Sequence, residues 1–149
     1  MLPKQIHIAI VNGPNLNLLG KREPAIYGTM SFDDYLVGLR EKYAAVCFEY
    51  FQSNHEGSLI DYLQEVDTRE EIVGVVLNAG GYTHTSVALR DTIAAISKPV
   101  VEVHISDITQ REDFRRHSYL SDVACATFMG YGLQSYDKGI DFLLQSLAE

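Results

Sequence analysis

The sequence predicts an α/β protein, with a parallel β-sheet lying between two layers of helices. Short apolar, β-branched runs alternate with longer amphipathic stretches along the chain. Those runs are almost continuously apolar, as expected of strands covered on both faces. The 149 residues contain no internal repeat, low-complexity tract or linker, so one domain over residues 1–149 is expected.

The elements follow in order. Ile6 to Val11 reads as the first strand. Phe32 to Val46 reads as a helix with Ser31 as its N-cap and Tyr35, Leu36, Leu39 and Tyr43 on one face. Phe48 to Gln52 is a second strand, and Leu59, Ile60, Leu63 and Val66 mark a second helix. Ile72 to Leu77 is a third strand, followed by a helix over Thr85 to Ile96 that carries Val87, Ala88, Asp91 and Ala95. Val100 to Ile105 and Ala124 to Met129 are the fourth and fifth strands. Ile140, Leu143, Leu144 and Leu147 belong to a closing amphipathic helix. This alternation fits a flavodoxin-like, doubly wound three-layer sandwich with a five-stranded parallel sheet of order 2-1-3-4-5.

That topology locates a site. In such sheets ligands sit beyond the carboxyl ends of the strands, where the strand order reverses, here between strands one and three. Asn12 ends strand one, Asn78 ends strand three, and His104 and Ser106 end the neighbouring strand four. A core strand has no packing reason to finish in such residues. The segment from Asn12 to Met30 is also unusual. It is long, lacks periodicity, is broken by Gly13, Pro14, Gly20, Pro24 and Gly28, and carries Arg22 and Tyr27. A connection of that length usually serves function, and a lid is the expected role.

Composition excludes several classes. The net charge of −8 opposes nucleic-acid binding, which needs a basic stripe. Residues 1–4 begin no signal-peptide-like apolar region, and no apolar run approaches a membrane span, so a cytoplasmic protein without membrane partners is expected. Cys47 and Cys125 lie in apolar runs and read as buried core thiols. His7, His55 and His117 read as structural, and no histidine spacing suggests a metal site.

Three segments stand together. Asn12-Gly13-Pro14-Asn15-Leu16-Asn17-Leu18-Leu19-Gly20 runs on into Arg22-Glu23-Pro24-Ala25-Ile26-Tyr27-Gly28. Asn78-Ala79-Gly80-Gly81-Tyr82-Thr83-His84-Thr85-Ser86 follows. The third is Glu102-Val103-His104-Ile105-Ser106, with Arg111-Glu112-Asp113-Phe114-Arg115 after it. In this order, over about Ile6 to Gly132, they resemble the type II 3-dehydroquinate dehydratases. The resemblance implies elimination of water from 3-dehydroquinate to give 3-dehydroshikimate, a step of the shikimate pathway, without metal or organic cofactor.

It also implies roles. Tyr27 matches the base and His104 the acid. Asn12 matches the residue that holds a water on the enolate oxygen. Asn78, the backbone amides of Ile105 and Ser106 and the Ser106 hydroxyl match the carboxylate-binding set. Arg115 and His84 match the ring-hydroxyl contacts, and Asp91 a residue reaching into a neighbouring subunit of a dodecamer of four trimers. Lowering a tyrosine pKa from ~10 to ~8 needs about 2.7 kcal/mol favouring the anion. Arg22 at ~4 Å supplies about 4 kcal/mol at an effective dielectric near 20, but only about 1 in water. Activation of Tyr27 by Arg22 therefore requires water to be excluded. Glu102, two residues before His104 on the same strand face, is placed to orient it.

The chain departs from the commonest pattern at Asp107, where asparagine is frequent, and at Gln110 and Arg116, where histidine is frequent. An added carboxylate beside an anion pocket is expected to affect affinity, not reaction type. The alternative on fold alone is a flavodoxin-like electron carrier or regulatory binding module. The first loop, however, lacks a Ser/Thr-rich phosphate cradle. A Schiff-base dehydratase is rejected because none of Lys4, Lys21, Lys42, Lys98 and Lys138 ends a strand facing the crevice.

Overall fold

The computed structural model describes residues 5–21, 23, 25 and 29–149. Five strands, β1 (Ile6–Asn12), β2 (Val46–Gln52), β3 (Ile72–Asn78), β4 (Val100–His104) and β5 (Ala126–Met129), form one sheet in the order β2-β1-β3-β4-β5. Every pairing is parallel, as the apolar strands require. Four longer helices among the described residues cover it: α1 (Phe32–Lys42), α2 (Glu56–Asp67), α3 (Val87–Ala95) and α4 (Gln134–Ala148). None is long and apolar enough to cross a membrane.

Alternation along the strands divides the core in two. Ile8, Ile10, Val101 and Val103 pack with Leu36 and Leu39 of α1 and Ile140 and Leu143 of α4. Ala9, Val11, Val75 and Leu77 pack on the other face with Leu59 and Leu63 of α2 and Leu89 and Ile93 of α3. Each such Val, Leu or Ile side chain, fully buried, contributes about 1.5–3 kcal/mol.

Ser31 caps α1, its hydroxyl accepting from Asp34 N–H at 3.1 Å. The helix nevertheless stops at Lys42, not at Val46 as the sequence suggested. Val46 pairs with Ile6, and Cys47 with His7, so the β1 ladder takes residues whose neighbours Ala44 and Ala45 favour helix. In α3 the buried side chains are Leu89, Thr92 and Ile93, while Val87 is exposed. The cysteines correct an expectation. Cys47 is half-buried on edge strand β2, and Cys125 is exposed just before edge strand β5. An apolar neighbourhood in sequence does not bury a residue at a sheet edge.

At the carboxyl ends of β1 and β3 the backbones come very close. Gly13 N–H donates to Asn78 O at 2.7 Å, and a Cβ on Gly13 would lie 2.3 Å from Ala79 O. Gly13→Ala should therefore force the two loops apart and lower stability by about 1–3 kcal/mol. Urea denaturation checks this, and a midpoint equal to the unsubstituted protein's would show that the loops are not held together here.

Candidate active site

A cleft of about 160 Å³ opens beyond the carboxyl ends of β3 and β4, beside the reversal of strand order. Asn78, His84, His104, Ile105, Ser106 and Arg115 all line it. Six of the side chains or backbone segments singled out in the sequence thus converge. Arg22 and Tyr27 lie outside the described residues. Asn12 and Asp91 are not among the lining residues.

His104 and Glu102 stand on the β4 face that packs toward α2 and α3. His104 Nε2 donates to Glu102 Oε2 at 2.5 Å, and both residues are buried. The carboxylate takes three further donors: Ser118 Oγ at 2.7 Å, Ser121 Oγ at 2.6 Å and Thr127 Oγ1 at 3.0 Å. Burial alone would raise the Glu102 carboxyl. The bonds from His104, Ser121 and Ser118 outweigh it and hold the group at about 2. The result is an ionised carboxylate with four donors that grips one ring nitrogen and leaves the other for the cleft.

Asn12 and Asn78 are register partners at the ends of β1 and β3. They turn toward the other face, where Tyr136 in the first turn of α4 lies fully buried. Tyr136 OH donates to Asn12 Oδ1 at 2.7 Å and accepts from Asn78 Nδ2 at 3.0 Å. Asn12 Nδ2 donates to Tyr50 OH at 3.2 Å, and Asn78 Oδ1 accepts from Gly80 N–H at 3.1 Å.

His84 Nδ1 lies 2.9 Å from the carbonyl oxygen of His117, which can only accept, so Nδ1 carries a proton. Burial pushes the His84 imidazole below its usual range, and the nearby His104 and Arg115 push the same way. A neutral ring in this tautomer presents Nε2 as an acceptor. Arg115 Nε donates to Glu112 at 2.9 Å. Arg111 also lines the cleft and donates to Ser106 Oγ at 3.2 Å. Asp107 accepts instead from the N–H and hydroxyl of Thr109, at 3.0 and 2.5 Å, and does not line the cleft. Gln110 and Arg116 are exposed and do not line it either. Asp91 is exposed on α3.

Sequence reasoning did not single out Tyr136, Arg111 as a cleft residue, or the hydroxyls around Glu102. Tyr136 shares a helical face with Ile140 and Leu143 and reads as an ordinary core position. Ser118 and Ser121 sit in an irregular stretch with no period, and Thr127 on the short edge strand β5. Arg111, which follows the His104 segment within a few residues, carried the one usable signal.

An α/β sandwich with an oriented histidine and clustered polar groups at its switch point has the architecture of a small-ligand site. Residues 6–144 match the family described as dehydroquinase class II. The 3-dehydroquinate dehydratase of Chlorobaculum tepidum is 48% identical over 137 residues, covering 92% of this chain and 93% of that one. That of a Marinomonas species is 50% identical over 145 residues, covering 94% and 97%. The crystal structure of the type II dehydroquinase from Butyrivibrio crossotus superposes with a TM-score of 0.89 at 41% identity, covering 95% of this chain and 99% of that one. The chain belongs to the class II dehydroquinase family.

Glu102 makes stability depend on pH in a definable window. Its folded pKa lies below the usual 4.5, at about 2, so the unfolded chain binds the proton first. The stabilisation is complete above about 4.5 and is lost as pH falls through about 2. In urea denaturation series, the stability gap between the unsubstituted protein and Glu102→Gln should be constant near neutrality and shrink across that window. A gap that does not change with pH would contradict the assignment.

Proposed function

We propose that this chain is a 3-dehydroquinate dehydratase that eliminates water from 3-dehydroquinate to give 3-dehydroshikimate through an enolate. The observation that carries the reading is His104, gripped by ionised Glu102 and facing a cleft rich in hydrogen-bond donors. The proton to be removed lies beside a ketone and the leaving group is a hydroxyl. The reaction needs a base, a stabilised enolate and an acid.

Tyr27 is the base, activated by Arg22. His104 protonates the departing hydroxyl from the ring nitrogen that Glu102 does not hold. Asn78, the Ile105 and Ser106 amides and the Ser106 hydroxyl bind the carboxylate. Arg115 and the acceptor nitrogen of His84 hold ring hydroxyls, which donate to one and accept from the other. Asn12 holds a water on the enolate oxygen. No resident metal or cofactor is required by this scheme. Asp91 serves a neighbouring subunit in a trimer, four of which make a dodecamer. Its exposure on α3, off its own cleft's lining, supports that role.

Absorbance of the conjugated enone should rise when purified protein meets 3-dehydroquinate, and EDTA should not stop it. Borohydride with substrate should leave activity intact; inactivation with a lysine adduct would point to an imine route. Tyr27→Phe should lose turnover by at least ~10²-fold while keeping the fold. Arg22→Ala should resemble it, with the double variant no worse, because both act on one anion. Near-normal turnover in Tyr27→Phe would assign the base elsewhere.

In sedimentation the active species should be built of trimers, and Asp91→Ala should lose activity without losing its own fold. A fully active monomer would contradict both.

A further inference from the structure

Four side chains between the sheet and α4 form one directed hydrogen-bond chain. It starts at a backbone group whose direction cannot change: Gly80 N–H donates to Asn78 Oδ1 at 3.1 Å. With its oxygen committed there, the Asn78 amide turns its nitrogen to Tyr136 OH, 3.0 Å away. A phenol has a single proton, so Tyr136, accepting from Asn78, sends that proton to Asn12 Oδ1 at 2.7 Å. The Asn12 nitrogen is then left to donate to Tyr50 OH at 3.2 Å. Every donor points the same way, the arrangement in which successive bonds reinforce one another.

The surroundings hold this chain in place. Asn12 and Tyr136 are fully buried and Asn78 nearly so. Burial pushes the Tyr136 phenol well above its usual range, so it keeps its proton and remains a donor. One turn along α4, Gly139 lies on the sheet so closely that a Cβ there would be 3.1 Å from Val103 Cγ1 and 3.3 Å from Val101 and Val76. That close approach lets a tyrosine three residues earlier reach the strand ends. Of the two Asn78 amide protons one is taken by Tyr136, while Asn78 itself lines the cleft.

We infer that Tyr136 is a positioning residue that holds the Asn78 amide in the polarity set by Gly80 N–H, so that Asn78 offers the cleft an N–H donor and selects for a ligand carboxylate. Tyr136 reaches the ligand only through Asn78. The inference rests on the function proposed above for the identity of the ligand, but not for the geometry.

The test compares Tyr136→Phe with the unsubstituted protein as intact full-length chains. Calorimetry gives Kd for quinate and for the cyclohexanetetrol that lacks only its carboxylate, and steady-state assays with 3-dehydroquinate give kcat and KM. Tyr136→Phe should weaken quinate binding by about tenfold, the equivalent of one lost hydrogen bond. Tetrol binding should barely change, and KM should rise more than kcat falls. Equal weakening of both ligands, or of neither, would overturn the inference, because a merely structural role would not discriminate between them.

If Tyr136→Phe does not fold, the unsubstituted protein labelled with ¹⁵N-asparagine decides. Quinate should shift one of the two Asn78 side-chain N–H resonances, and a shift of neither overturns the inference. A protein that binds quinate better than the tetrol yet never turns over 3-dehydroquinate would sink the proposed function alone. The two Kd values would still decide the role of Tyr136.

Discussion

The register that sets Asn12 opposite Asn78 is the constraint on which the site depends. β1 and β3 are central neighbours in a parallel sheet, and their chains must leave the same end in different directions. Two strand ends without a common turn leave backbone and side-chain polar groups buried together, which must find partners. Here Gly13 N–H closes onto the Asn78 carbonyl, and the two carboxamides share one tyrosine hydroxyl. The crevice beside them is what remains when helices on either face cannot cover the divergence.

From that crevice the strands reach into both halves of the core. Asn12 and Asn78 turn toward α4, whereas Glu102 and His104 turn toward α3 and the segment around Ser118 and Ser121. Each half solves a different electrostatic problem. Buried Glu102 is a full charge, tolerable because four donors surround it. The asparagine network is neutral, and its cost is avoided by satisfying each amide in a fixed direction. Despite the net charge of −8, Arg111 and Arg115 line the cleft and make the local field that a ligand meets more positive.

The strands were legible because their composition has one explanation. Runs such as Ile-Ala-Ile-Val and Val-Val-Leu are apolar at every position, which only strands covered on both faces require. Their polar endings were legible for the same reason, since Asn78 and His104 break a pattern that packing would have continued. The limits of α1 were not, because Ala44 and Ala45 suit a helix and only pairing of Val46 with Ile6, forty residues away, ends it. Cys125 misled because sheet order, not local hydrophobicity, decides which strand is an edge. Tyr136 was invisible because its hydroxyl meets Asn12 across 124 residues of sequence, while its ring satisfies an ordinary helical core position. Periodicity reports what faces the core and is silent on the one polar atom a core residue carries.

The two networks share a consequence that neither has alone. Each begins from groups that cannot reverse, a carboxylate that only accepts and a backbone N–H that only donates. Each then passes that direction through a side chain that could otherwise point either way, an imidazole in one case and a carboxamide in the other. Left to water, both would sample both orientations and present a mixture of donor and acceptor to the cleft. Anchored as they are, they commit in advance, so a ligand bears no cost of turning them. His84 is committed in the same manner by the His117 carbonyl, which takes the hydrogen bond of Nδ1–H and leaves Nε2 as an acceptor. A cleft lined by the Asn78 carboxamide, Arg111, Arg115 and the His84 acceptor in the turn after β3 suits a ring that carries a carboxylate at one end and hydroxyls at the other. Selectivity of that kind comes from rigidity several residues behind the surface a ligand touches.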